Sequence, residues 1–356
     1  MKIPAKSSKR NDSMRLYRVS LLVFCLAGVA LCQVEKGGGR GAGRGADIPV
    51  LGNYKFVDWP TEATSAAGFP AGPWNLIQAP AVAVDAHGHI LVLHRGANPI
   101  LEFEPDGKFI RFWGDGMFSF GKVVYVPPAN RDPSRSNYSA VYGPAGCDSC
   151  GAHSIRVDPQ GNIWVVDAPG QMVYKMNQQR DVILRVGQKG VAGMGHNNFN
   201  LPTDVAFTPN GDFYVSDGYA NPRVVKFTKT GKYILEFGKR GTGPGEFMLP
   251  HNVVVDAQGR VYVTDRDNQR VEVFDSNGKF LNEWKTYGGV STLYMTKDQK
   301  IWVGGILTDL DGKAIGRLPF PQGGGGGGGG HGTAVTESGD VYIAQLSGVV
   351  QKFVKQ

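Results

Sequence analysis

Apolar residues along most of this chain recur at every second position in short runs, and the runs come in pairs separated by a polar turn. That period is what a strand needs to pack one face and wet the other. The paired pattern starts afresh at six places: PAVAVDAHGHILVLHRG from Pro80, HSIRVDPQGNIWVVDAP from His153, TDVAFTPNGDFYVSDGY from Thr203, HNVVVDAQGRVYVTDRD from His251, a degenerate STLYMTKDQKIWVGGIL from Ser291, and HGTAVTESGDVYIAQLS from His331. Each holds two alternating runs around a turn such as Asp-Ala-Gln-Gly at 256–259, the mark of a hairpin. Most units continue into a third and a fourth run, as at residues 224–238 and 271–284. No amphipathic helix of useful length is visible. Four short strands per unit, repeated at roughly 40 to 50 residues, predict an all-β, six-bladed β-propeller whose blades hide each other's faces. Residues around Tyr54 to Trp59 are expected to supply an outer strand that closes the ring.

Two stretches break the regular spacing. Residues 117–151, rich in Pro, Ser and Tyr, form a long insertion between the first and second units. Such an insertion is expected to lie on one face of the scaffold and to help form a binding site. Residues 323–330 are eight consecutive glycines directly before His331, a composition that holds no fixed conformation unless bound.

Composition and charge refine this picture at the N-terminus. The 51 glycines and 21 prolines suit many strands and turns. The formal charge of +7 resides mostly in residues 1–32, so a basic groove for nucleic acid is not indicated. There, Arg15 and Arg18 precede an apolar run at 21–32 with the length of a signal h-region. The expected organisation is a signal peptide at 1–32, a Gly-rich linker at 33–49 and the propeller at 50–356. The protein is then secreted or periplasmic, with no stable membrane span after signal removal; a retained N-terminal membrane anchor is the alternative. Cys147 and Cys150 form a CxxC that favours a local disulfide in an oxidising compartment. Gly151 stands where a c-type haem motif needs His, and no second CxxC exists for a zinc ribbon.

Positions that recur in several units read as scaffold. Asp217 and Asp265, Asn221 and Asn268, and Arg223 and Arg270 share one pattern and are assigned to turn and inter-blade hydrogen bonding. Positions that differ in register are free to carry chemistry. The first residue of each unit reads Pro80, His153, Thr203, His251, Ser291, His331, with histidine in every second unit. Alternate blades of a six-fold ring are related by about 120°, so three imidazoles are expected to point at one spot near the axis. Three His with an open fourth position form a zinc arrangement of catalytic type, and imidazole also suits copper or iron. Fifteen residues further on, at the end of the second strand, stand Arg95 and Arg266, with Tyr219 one residue past the matching Gly218. Arginines clamp a carboxylate through paired N–H donors, and a phenol beside a metal and two guanidinium groups is a candidate general base.

At these residues the sequence resembles the catalytic domain of peptidyl-α-hydroxyglycine α-amidating lyase, an NHL-repeat propeller. The likeness rests on HRG at 94–96, HSIRVD from His153, PTDVAFTPNGDFYVSDGYANPRVV from Pro202, PHNVVVD from Pro250, DRDNQR from Asp265 and HGTAV from His331. The resemblance implies zinc on His153, His251 and His331, a catalytic tyrosine at Tyr219 and active-site arginines at Arg95 and Arg266. It implies cleavage of the C–N bond of a peptidyl or N-acyl α-hydroxyglycine to an amide and glyoxylate. The family's structural calcium uses main-chain carbonyls that map to Val82 and Ile155, plus an Asp directly after the third histidine, where this chain has Gly332. A family cysteine after the tyrosine is Ala220 here. The copper monooxygenase domain that supplies the substrate in bifunctional relatives is not expected within these residues, so the expectation is either a separate monooxygenase that supplies the substrate or a different carbinolamide as substrate. The competing reading is a non-catalytic NHL propeller that binds a protein or ligand.

Overall fold

The computed structural model describes residues 47–60, 78–96, 98–119, 151–285, 290–321 and 330–356, together with the backbone of strands Gly121–Val123 and Cys147–Cys150. All of them fall within one unit, Gly39–Gln356. The expected signal peptide and most of the expected linker lie outside the described residues. No helix among the described residues is long and apolar enough to cross a membrane.

Six four-stranded antiparallel sheets form the blades of a propeller. Their innermost strands are Ala81–Val84, Ser154–Val157, Asp204–Phe207, Pro250–Val255, Leu293–Met295 and Gly332–Val335. Successive innermost strands touch one another in a closed circle, the sixth against the first. The periodicity of each strand follows from its place in the blade. In the third blade the second strand, Phe213–Asp217, is buried at every position because neighbouring blades cover both faces. Its outermost strand, Tyr233–Phe237, alternates half-buried and exposed because one face meets water.

The core is divided accordingly. Leu91, Leu93, Val165 and Tyr174 join blades one and two, and Trp164, Phe213 and Phe227 join two and three. Tyr214, Val263 and Phe274 join three and four, and Tyr262, Val271 and Ile301 join four and five. Trp302 and Phe353 join five and six, and Trp59, Phe103 and Tyr342 join six and one.

Ring closure is as expected from the sequence. Strand Tyr54–Val57 pairs antiparallel with Val350–Lys355, Tyr54 opposite Lys355, and so forms the outer strand of the sixth blade. Just beyond it, Trp59 sets its ring edge-on against Phe103 of the first blade at 5.0 Å and Tyr342 of the sixth at 5.2 Å.

The recurring Asp, Asn and Arg do scaffold work. Asp217 accepts from Asn221 at 2.7 Å and from Arg223 at 3.0 Å, while Arg223 also donates to the carbonyls of Met194 and Asn198. Arg270 repeats this on the carbonyls of Thr242, Gly243 and Glu246. Each arginine thereby ties the loop that enters its blade. Of the long insertion, Gly121–Val123 and Cys147–Cys150 pair antiparallel. The residues between them, the side chains of Cys147 and Cys150, and residues 322–329, which include all but the last glycine of the run, lie outside the described residues.

Candidate metal centre

Each inner strand has its first-column residue at one end and the hairpin turn at the other, so the six first-column residues gather at one end of the channel. There the rings of His153, His251 and His331 form a near-equilateral triangle with centroids 4.8, 4.8 and 4.9 Å apart. All three are buried, and one potential ligand atom from each lies within 4.8 Å of the others.

Their orientation follows the same three-fold rule. His153 Nδ1 lies 2.6 Å from the carbonyl oxygen of Thr203, His251 Nδ1 2.8 Å from that of Ser291, and His331 Nδ1 2.8 Å from that of Pro80. Those carbonyls belong to the intervening residues of the same column, each in the next blade. A carbonyl can only accept, so each Nδ1 carries the proton and each Nε2 keeps its lone pair for the centre. Burial also keeps the rings neutral. His153 and His251 are held well below the ordinary imidazole pKa by burial first, reinforced at both by His331 and nearby guanidinium groups and at His251 also by His153. His331 is pushed down to about 3, by burial first and by Arg95 next. Three neutral, oriented nitrogen donors fit a borderline divalent ion such as zinc.

Tyr219 reaches this centre from the loop after the second strand of blade three. Its hydroxyl lies 3.0 Å from His153 Nε2 and 3.2 Å from His251 Nε2. A glycine makes the approach possible. A Cβ on Gly218 would stand 1.6 Å from the carbonyl oxygen of Pro250, directly before His251, so only a bare backbone can pass so close. The Arg266 guanidinium lies 5.6 Å from the Tyr219 ring centroid, and its Nε donates to Asp267 at 3.1 Å. Arg95 is 4% exposed and donates to the Gln78 side chain at 2.6 Å. The positive charge of both arginines is felt at His153 and His331. The structure therefore brings together His153, His251, His331, Tyr219, Arg95 and Arg266.

The positions of the calcium expectation line one small cavity. A small cavity on the histidines' channel side is lined by Val82, Ile155, Gly332 and Arg156, and its volume of about 10 Å³ is that of a single water. Arg156 brings its own positive charge there. Its guanidinium donates to Asp204 of the third blade at 2.7 and 3.0 Å, to Asn252 of the fourth at 3.0 Å and to the Leu293 carbonyl of the fifth at 3.1 Å. A Cβ at Gly332 would lie 2.6 Å from Ala81 Cα and 2.9 Å from the Pro80 carbonyl, so a side chain there would have to push that backbone aside. Val82 and Ile155 thus line a cavity shared with Arg156, with Gly332 where the resemblance puts an Asp.

Arg156, Asp204 and Asn252 escaped sequence reasoning, as did Gln78. A signal for Arg156 was present: its column reads Ala83, Arg156, Ala206, Val254, Tyr294, Ala334, with one cation among small and apolar residues. Gln78 lies before the repeat register begins and offered no such signal.

Fold and site together define a six-bladed β-propeller with a buried three-histidine centre suited to a metal ion. The chain belongs to the NHL-repeat propeller family, with 31% identity over 272 residues to NHL repeat-containing protein 3 of Homo sapiens, covering 71% of this chain and 70% of that protein. A family model described as a 6-bladed beta-propeller matches residues 199–287. Peptidylglycine alpha-amidating monooxygenase of Rattus norvegicus is 31% identical over 219 residues, 58% of this chain, which spans only 22% of that protein's length. A probable peptidyl-alpha-hydroxyglycine alpha-amidating lyase of Caenorhabditis elegans is 28% identical over 204 residues, 56% of each chain. Among solved structures a streptogramin B lyase matches with a TM-score of 0.52 over 85% of this chain and 98% of its own, at 11% identity, a likeness of fold alone.

Proposed function

We propose that this propeller is a zinc-dependent lyase that cleaves the C–N bond of a peptidyl or N-acyl α-hydroxyglycine, releasing an amide and glyoxylate. The observation that carries this reading is the Tyr219 hydroxyl set between Nε2 of His153 and Nε2 of His251, with Arg95 buried and Arg266 half-buried at the same end of the channel. Relatives named for this lyase activity support it.

Arg95 and Arg266 would bind the substrate carboxylate and so fix the α-carbon beside Tyr219. The Tyr219 oxygen would accept the proton of the α-hydroxyl. The C–O bond then becomes the aldehyde C=O as the C–N electron pair leaves with the amide nitrogen, which takes the proton back from Tyr219. A divalent ion on the three Nε2 atoms would act there as a Lewis acid toward the substrate oxygen. No net proton is gained or lost. The N-terminal segment, read as an export signal, would place the reaction outside the cytoplasm, with a separate monooxygenase furnishing the hydroxylated substrate.

Glyoxylate release from an N-acyl α-hydroxyglycine, measured beside elemental analysis, tests this. Tyr219→Phe is expected to lose turnover by at least a hundredfold while metal content persists, whereas His251→Ala should lose both. Zinc-loaded protein that releases no glyoxylate would leave a binding propeller instead.

A further inference from the structure

Blade one carries a second cluster of ligating groups, at the opposite end of its inner strand from the three histidines. Its turn reads Asp85-Ala-His-Gly-His89. Asp85, His87 and His89 each offer a ligand atom, and these lie within 4.8 Å of one another. Asp85 and Gly88 also line a cavity of about 820 Å³ at this turn end of the channel.

The equivalent turns in blades two and four show what the scaffold alone requires. In each, one carboxylate oxygen accepts two backbone N–H groups: Asp158 Oδ1 from Gln160 and Asn162, Asp256 Oδ1 from Gln258 and Arg260. The second oxygen is saturated by fixed donors. Asp158 Oδ2 accepts from Asn162, Trp164 and Lys175, and Asp256 Oδ2 from Arg260 and Tyr262. Asp85 keeps the first half of this pattern, its Oδ1 accepting from the N–H groups of His87 and His89, each at 2.8 Å.

The second half is replaced throughout. His87 stands for Gln160, His89 for Asn162, Leu91 for Trp164 and Glu102 for Lys175. Every neutral or cationic donor around the outer oxygen has become a metal-ligating or apolar side chain. Asp85 Oδ2 now faces His89 Nδ1 at 3.3 Å and His87 Nδ1 at 3.5 Å, with the two rings stacked at 5.6 Å. Those separations are long for hydrogen bonds, yet two ligands on one tetrahedral zinc, each about 2.0–2.1 Å from it, stand about 3.4 Å apart.

We propose that Asp85, His87 and His89 form a second transition-metal site, for a borderline divalent ion such as Zn(II), Cu(II) or Ni(II). The ion's ligands are Asp85 Oδ2 and the two Nδ1 atoms. In the metal-free protein His89 Nδ1 donates its proton to Glu102 at 3.0 Å; the ion replaces that proton, Glu102 stays with Arg111 and Arg180, and solvent completes the shell. The backbone N–H bonds to Oδ1 hold the carboxylate ready, and His87, the one exposed ligand, is the entry side.

The test is a calorimetric titration of the metal-free full chain with Zn(II) alone, in a His251→Ala background that disables the three-histidine centre. One remaining equivalent is expected, and adding His87→Ala should weaken it at least tenfold. No zinc uptake by the single variant, or equal uptake by both, overturns the site. In the otherwise unaltered chain, His87→Ala should also remove one of two Cu(II) equivalents and the corresponding nitrogen-rich electron paramagnetic resonance signal; an unchanged count and spectrum would refute the proposal without relying on the His251 variant. Because His87 takes no part in the lyase chemistry, failure here leaves that reading untouched.

Discussion

Arg156 shows how much one side chain can decide. It is half-buried and bonded to three other blades, with Asp204 0% exposed as its counter-charge. Removing one partner of a buried pair leaves the other uncompensated, at a cost of about 3–5 kcal/mol. Arg156→Met is therefore expected to lower the unfolding free energy by about that amount, read by chemical denaturation. With Arg156 lining the cavity of Val82 and Ile155, a calcium chelator is expected not to move the melting temperature of the parent protein; a clear drop would show that calcium binds there. Gly218 makes a complementary point. Gly218→Ala must displace either Tyr219 or the Pro250 carbonyl, and the proposed activity should fall with metal content largely kept, as elemental analysis and glyoxylate release would show.

Among elements, blades one and two are also linked electrostatically outside the core. Glu102, on strand Ile100–Phe103, accepts two hydrogen bonds from Arg111 on the next strand and one from Arg180 of blade two. Burial alone would raise its pKa, but the two guanidinium groups outweigh that and bring it down to about 2. A carboxylate whose pKa is lower folded than unfolded stabilises the fold fully above the unfolded value, about 4.3. That contribution fades as the pH falls toward 2. Thermal midpoints measured from pH 7 to pH 2 should show Glu102→Gln less stable at neutrality and less sensitive to acid than the parent. Parallel curves for the two proteins would mean the ion pairs contribute nothing.

For the molecule as a whole, closure is the critical event, because a propeller's last blade must meet its first. Strand Tyr54–Val57 and Trp59 accomplish this from outside the repeats. Trp59 is 8% exposed, and trimming such a ring to alanine typically costs about 3–5 kcal/mol. Trp59→Ala should lower the denaturation midpoint accordingly, and deleting residues 1–60 should do more by also exposing the edge of Val350–Lys355. Unaltered stability of the truncated protein would show that the ring closes without its N-terminal strand.

The repeat, the four strands per blade and the three histidines could all be read from residue order, because alternation at period two and register between units are local properties of the chain. Register even marked Arg95, Arg266 and Tyr219, since equal spacing on equal scaffolds means equal placement. What residue order could not decide was what meets across the axis. The protonated Nδ1 atoms depend on carbonyls of neighbouring blades, the Arg156 guanidinium depends on partners up to 137 residues away, and the crowding at Gly332 depends on a backbone about 250 positions earlier. Those contacts exist only once the ring has closed, which is why the channel's own cation came from the fold and not from the pattern.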